Sequence, residues 1–488
     1  MSVTESLEPK EVFKYFEEIS AIPRPSFHEE KISEYLVNFA KEHNFEHYTD
    51  DLHNVIMIKE ASEGYEDVPP IILQGHMDMV CEKDPGVEKD MEKEGLDLYI
   101  DGDFLKAKGT TLGGDDGVAI AYALSLLTDE TLKHPRLEFV CTVSEEVGME
   151  GATGIDVSML KGKKLLNIDS EGEGEVLTSC AGGGTAHIAL PVKRERDQQS
   201  GAVVELKLSN LAGGHSGMEI DKGHGNATLL MARFLVHAES SVRLRLIEFK
   251  GGSKDNAIPR EAYAKIILPY KKEVEILRNR AEHFISHIKA EYGAADPDVT
   301  FELSVKDESE WDKDARELTR ESTDKVLAFL SALPNGVIRM SDVLPGMTET
   351  SLNLGITNLD KQNLNLGFSV RSSKGSAYRE LITRITYLSE YFGAKVDVKG
   401  EYPAWEYAEV SPLRDTAVKV YKEMFGKDLK VVSVHAGVEC GILSSKIPGL
   451  SAIAMGPDIF DIHTPKERLS ISSTKRTYEF VRNIIEAK

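Results

Sequence analysis

Residues 71–78 read IILQGHMD, a short apolar run closed by a histidine and an aspartate. The same event recurs in LEFVCTVSEE over 137–146, KLLNIDSE over 164–171 and AIAMGPDIFDIH over 452–463. Short apolar runs of this kind, flanked by helical patterns, read as strands buried on both faces. Between the first two lies Gly117–Leu127, an uncharged apolar stretch that reads as a buried helix. Strand and helix alternate, which predicts an α/β fold with a mainly parallel sheet covered by helices. Ligands collect beyond the carboxyl ends of the strands in such sheets. His76, Asp78, Glu145, Glu146, Asp169 and His463 are therefore expected at one edge. GTTLGGDDG (109–117) adds Asp115 and Asp116 where a Gly-rich turn opens the helix.

Working outward, Ser26 and Glu29 have capping-box spacing ahead of a helical stripe through Ile32, Leu36 and Phe39. The composition shifts at Ala181–Gly184, which reads as a hinge. The following stretch contains an internal echo. A strand over Tyr263–Leu268, a helix through Ile276–Ile288 and a strand over Val299–Val305 are repeated as Leu364–Val370, Ala377–Tyr391 and Ala394–Val398. Sheet-like patterning returns at Tyr402. The expected organisation is a first domain in two parts, 1–184 and 401–488, with a second domain, 185–400, inserted between them.

Composition agrees with this division. The chain has 488 residues, 41% of them hydrophobic, more than one core accommodates. Its net charge of −23 repels nucleic-acid phosphates and anionic lipid, so neither partner is expected. The longest uncharged helical run, Gly117–Thr128, is 12 residues, whereas membrane spans need about 18–20. The N-terminal segment MSVTESLEPKEVFKYFEE lacks the basic and apolar regions of a signal peptide. Cys81, Cys141, Cys180 and Cys440 form no CxxC and suit a reducing, cytoplasmic compartment.

Each polar group alone has an ordinary explanation. A histidine after a strand is usually a loop residue, paired glutamates are usually solvated, and an aspartate at a helix start caps it. Recurrence at one sheet edge changes that reading. Two histidines with several carboxylates form the nitrogen and oxygen donor set that holds Zn²⁺, Mn²⁺ or Co²⁺. Two such ions need one shared carboxylate and about two further ligands each, which this inventory supplies.

The motifs GHMDMV, TTLGGDDGVA, SEEVGMEGA, NIDSEGEGE, AGGHSGMEID, KDNAIPR, SVRSS, HAGVECGIL and GPDIFDIHTPKERLSI occur in this order from residue 75 to residue 471. On them, the sequence resembles the aminoacylase/carnosinase-type dinuclear metallopeptidases, and among these the aminoacyl-histidine (cytosolic non-specific) dipeptidase branch. The resemblance implies a mainly parallel-sheet zinc-peptidase catalytic domain with an inserted α+β lid domain. It implies two divalent ions per site, zinc foremost, with manganese and cobalt as alternatives. Asp115 matches the bridging carboxylate, His76 and Asp169 the ligands of one ion, and Glu146 and His463 those of the other. Asp78 matches the acid that orients His76, and a cis peptide is implied between Asp115 and Asp116. Glu145 matches the general base that takes a proton from a metal-bridging water. In the lid, the resemblance assigns His215 to the tetrahedral oxygen, Arg371 to the substrate carboxylate and Asn256 to substrate binding.

The expected activity is hydrolysis of Xaa-His and related dipeptides. The alternatives are an N-acyl amino-acid deacylase or a tri- or aminopeptidase on the same scaffold, since the metal set is common to them. A peptide-binding protein without catalysis is disfavoured by an intact Glu145 beside a full ligand set. The resemblance also implies a homodimer, with His215 acting in cis or from the partner. On a strand-like backbone, Glu145 and Glu146 would point to opposite sides.

Overall fold

The computed structural model describes residues 2–196, 201–306 and 316–487. The chain divides into two compact units, the first comprising 1–180, 405–433 and 438–488, the second 181–404 and 434–437. The expected crossings at 184 and 400 thus lie at 180 and 404, and a short return by 434–437 has no counterpart in the sequence reading.

Unit 1 is built on an eight-stranded sheet. At its centre Leu137–Thr142, Ile71–His76, Lys164–Asn167 and Ser451–Ala454 run parallel. Antiparallel strands flank them, with Val55–Lys59 beside Leu137–Thr142 and Glu175–Cys180 beside Ser451–Ala454. Ile71–His76 is buried along its whole length, because parallel neighbours and covering helices leave neither edge nor face to water. Helix Gly114–Thr128 lies on this strand, buried continuously from Asp116 to Leu127. Gly75 permits the approach, since a Cβ there would stand 2.4 Å from the Ala119 Cβ and 2.4 Å from Asp116 Oδ2. Burying side chains such as Val118, Ile120 and Leu124 contributes about 1.5–3 kcal/mol each.

Unit 2 is one antiparallel sheet made by two interleaved β-α-β-β-α-β units. One uses strands Ala202–Ser209, Arg245–Gly251, Ala262–Leu268 and Thr300–Lys306 with helices Ala227–Glu239 and Glu273–Tyr292. The other uses Gly182–Pro191, Thr348–Leu359, Asn363–Ser372 and Lys395–Tyr402 with helices Arg320–Ala332 and Gly375–Tyr391. Each stands in the order 4-1-3-2 across the sheet, and they join where Arg245–Gly251 pairs with Thr348–Leu359. The internal echo in the sequence is the last strand–helix–strand of each. The first unit is spliced into the second after Gly182–Pro191.

Three local expectations are corrected. Gly182–Gly184 is not a loose hinge but the start of a strand, paired with Ser372, Arg371 and Val370. Its glycines make room: a Cβ on Gly182 would lie 2.3 Å from the Ala404 nitrogen, and one on Gly183 2.7 Å from Tyr402 Oη. Ser26 and Glu29 form no capping box, and no side chain caps helix Glu30–Glu42. Glu145 and Glu146 are not on a strand; Leu137–Thr142 has ended, and Ser144 turns the chain at φ +53°.

Candidate active site

In unit 1, the parallel strands deliver their terminal side chains to one place. His76 is the last residue of its strand, and its Nε2 lies 3.2 Å from Asp115 Oδ1 and 3.7 Å from Asp169 Oδ1. The other oxygen of Asp115, Oδ2, lies 3.3 Å from His463 Nε2, which is 3.0 Å from Glu146 Oε1. One carboxylate thus faces two imidazoles, one with each oxygen. Asp115 reaches this position because it and Asp116 leave helical φ/ψ at the start of helix Gly114–Thr128, across a cis peptide bond. Donor atoms of His76, Glu145 and Glu146 lie within 4.8 Å of one another, as do those of Asp115, Glu146 and His463, and those of His76, Asp116 and Asp169.

Asp78, fully buried, organises the cluster from beneath. Its Oδ1 faces His76 Nδ1 at 3.3 Å and accepts from the Glu145 N–H at 3.0 Å. Its Oδ2 accepts from the Glu146 N–H at 3.3 Å and from Ser26 Oγ at 2.8 Å. Glu29 accepts from both the N–H and the hydroxyl of Ser144 at 2.9 and 2.8 Å, which fixes the turn carrying the two glutamates. The pair expected to cap a helix therefore serves the site.

Sequence reasoning missed three more groups, Glu467, Arg24 and Glu171, and read a fourth, Glu439, as structural rather than chemical. Buried Glu467 accepts from the N–H groups of Leu112, Gly113 and Gly114 at 2.7, 3.0 and 2.8 Å. Buried Arg24 donates to the carbonyls of Met77 and Asp78 at 3.0 Å each, and to that of Gly113. Glu439 receives the Gln74 amide at 2.5 Å and the Thr142 hydroxyl at 2.7 Å. Glu171, exposed at the surface beside the cluster, has its carboxyl pushed up to about 7 by the protein crowded around it, and then by Asp115 and Asp169. The signal for Glu171, Glu439 and Glu467 was their place inside motifs already singled out; Arg24 gave none.

The electrostatics fit a cation site. Burial, then the neighbouring carboxylates, pushes Glu145, Asp116 and Asp169 above the usual carboxylate range. Burial would raise Asp115 too, but hydrogen bonds from His463 and His76 bring it below that range. Hydrogen bonds to Asp115 and Glu146 push His463 up to about 10. Among the described residues, the ion pairs of Asp115, Asp169 and Glu146 run only to these histidines, and none to a lysine or arginine. Crowded carboxylates and imidazoles without a protein cation are the donor set that divalent ions satisfy.

A second group lies in unit 2. His215 sits on a two-residue strand paired with Ala257–Ile258, and its Nδ1 accepts from the N–H groups of Gly217 and Met218 at 3.2 and 3.1 Å. This fixes the tautomer with the proton on Nε2. Burial, then the positive charge of Arg371, holds His215 below its ordinary pKa, so it stays a neutral donor. Asn256 is exposed beside it, its carbonyl accepting from the Ser216 N–H at 2.9 Å. Arg371 is buried near the end of strand Asn363–Ser372 and donates through Nη1 to Tyr402 Oη at 2.9 Å.

Comparison with known proteins shows the family. The sequence profile of peptidase family M20/M25/M40 matches residues 72–487. The chain belongs to this peptidase family. It is 37% identical to the cytosol non-specific dipeptidase of Escherichia coli K12 over 100% of this chain and 99% of that one. The crystal structure of an aminoacylhistidine dipeptidase from Vibrio alginolyticus is 34% identical and superposes with a TM-score of 0.91, covering 99% of this chain and 97% of that one. A tripeptidase from Staphylococcus aureus, 15% identical, shares the fold with a TM-score of 0.55 over 98% of both chains. This M20 chain is a metal-dependent peptidase. No helix among its described residues is long and apolar enough to cross a membrane.

Proposed function

We propose that this M20 peptidase is a cytoplasmic dipeptidase that hydrolyses Xaa-His and related dipeptides with two divalent ions, zinc foremost. The observation that carries the reading is Asp115, whose two oxygens face His76 and His463 at 3.2 and 3.3 Å. On this proposal Asp115 is shared between two metal positions, His76 and Asp169 completing one and Glu146 and His463 the other. When bound, such ions polarise the scissile carbonyl and lower the pKa of an attacking water.

The chain's own residues do the rest. Glu145 accepts the proton of the attacking water and passes it to the leaving amine. Asp78 holds the backbone of Glu145 and Glu146 and keeps His76 oriented. From unit 2, His215 donates its Nε2–H to the tetrahedral oxygen. Arg371 grips the free carboxylate of the substrate, which restricts the enzyme to short peptides. Asn256 adds a polar contact to the bound peptide. A homodimer is proposed as well.

The test is a substrate panel on the purified holoenzyme, with Xaa-His dipeptides, tripeptides and acetyl-amino acids in parallel. Dipeptides should be turned over fastest, a chelator should abolish turnover, and Zn²⁺, Mn²⁺ or Co²⁺ should restore it. Preference for acetyl-amino acids or tripeptides would replace this reading with the deacylase or tripeptidase one. Light scattering decides the oligomeric state.

A further inference from the structure

Resting on that dipeptidase reading, we propose that His435 joins Arg371 in binding the substrate's terminal carboxylate, donating a hydrogen bond from its Nδ1. The placement comes from strand register. Ser351 stands directly opposite Arg371 on the adjacent strand, so their side chains share a face of the sheet. The Ser351 hydroxyl and His435 Nε2 are 2.7 Å apart. On the far side of Arg371 its strand partner is Gly183, over which Tyr402 Oη lies. Tyr402, Arg371, Ser351 and His435 therefore form one row within unit 2.

Two atoms in this row lack a protein partner although both residues are more than nine-tenths buried: Arg371 Nε and His435 Nδ1. Arg371 spends Nη1 on Tyr402, which leaves its Nε edge for a planar acceptor. Among the described residues, the Ser351 hydroxyl is bonded to His435 Nε2. Donation from that hydroxyl to Nε2 puts the ring proton on Nδ1. Burial and the Arg371 charge keep His435 neutral, at a pKa of about 3. Two buried donors with no acceptor beside them call for an anionic acceptor from outside the protein. The carboxylate of a dipeptide supplies one. The His435 segment is also packed against the His215 turn, where a Cβ on Gly217 would meet the His435 carbonyl at 2.3 Å. The carboxylate donors and the proposed oxyanion donor thus share one frame.

The test compares a dipeptide with its C-terminal amide on the metal-loaded enzyme. Wild type should prefer the free carboxylate by at least about 10²-fold in kcat/KM. His435→Ala should cut that preference about 10–100-fold, through KM for the dipeptide, with little change on the amide. His435→Asn, whose side-chain N–H replaces Nδ1–H, should restore most of it. Arg371→Ala should remove the preference. Wild-type preference in His435→Ala beside its loss in Arg371→Ala overturns the role of His435 and leaves the carboxylate clamp standing. Wild-type preference in Arg371→Ala overturns the clamp itself, and His435 with it. Should the alanine variant fail to fold, His435→Phe takes its place, and equal preference in the Phe and Asn variants overturns the proposal.

Discussion

Asp78→Asn exchanges one oxygen for an amide nitrogen, and the geometry says which bond is lost. Four groups converge on the carboxylate: His76 Nδ1 and the Glu145 N–H on Oδ1, Ser26 Oγ and the Glu146 N–H on Oδ2. Asparagine offers one acceptor and one donating NH₂. Placed at Oδ1, the NH₂ would confront both His76 and the Glu145 N–H. Placed at Oδ2, it confronts only the Glu146 N–H, because the Ser26 hydroxyl can turn and accept. The second arrangement is cheaper and strands one buried N–H, at about 1–3 kcal/mol. It also removes the negative charge facing His76, which lowers metal affinity by about 10–100-fold. Urea unfolding of metal-free protein should therefore show a loss of about 1–3 kcal/mol. Competition with a chromophoric chelator should show the weaker metal binding. Saturating metal should recover much of kcat, since Oδ1 still holds the Glu145 backbone. A folded Asp78→Asn enzyme with wild-type metal affinity would refute the orienting role.

Glu145→Gln should keep its metal while kcat falls by about 10²–10⁴, whereas Glu146→Gln should lose metal and be partly rescued by excess; metal per chain and turnover separate them. His215→Ala should lower kcat by about 10²–10³ with metal content intact, and metal loss would show the residue misassigned. Glu439, fully buried, has its carboxyl pushed up to about 7, chiefly by burial, against about 4.3 in an unfolded chain. Between those values the folded chain keeps a proton that the unfolded chain releases, so stability falls as pH rises from about 4.3 to 7 and stays reduced above, by about 4 kcal/mol. Glu439→Gln should remove that slope, leaving metal-free protein more stable than wild type at pH 8 but not at pH 4; an unchanged slope would show that Glu439 is not its source.

The place of the site was legible because parallel strands fix which end of each apolar run carries the clustered polar side chains. His76 and Asp169 follow directly from that rule. What was misread depends on partners far away in sequence. Ser26 and Glu29 have the spacing of a capping box whether their side chains bend back to the helix or outward. They turn outward to Asp78 and Ser144, 52 and 115 residues away. Likewise Gly182–Gly184 has a hinge's composition, but small residues also mark close approach, here of Ala404, Tyr402 and Tyr378. Adjacent glutamates were given a strand's alternation because the turn at Ser144 left no local sign. Glu439 owes its role to Gln74 and Thr142, 365 and 297 residues away, and no local pattern reports such pairs.

Arg24, Glu467 and Gln74 share a function, which is to hold the frame of the site rather than substrate. Arg24 ties the carbonyls of Met77 and Asp78 to that of Gly113, joining the His76 segment to the Asp115 turn. Glu467, four residues beyond His463, grips the N–H groups of the same turn from the other side. Gln74 takes the Asn167 amide and donates to Glu439, linking the strands that end in His76 and lead to Asp169. One guanidinium, one carboxylate and one amide thus connect the segments that carry four of the five proposed ligand residues. Crowding these carboxylates costs free energy before any ion binds, as their raised pKa values show. The cluster keeps its geometry because backbone hydrogen bonds in a buried frame hold it, and the proposed ligand side chains contribute least to that frame.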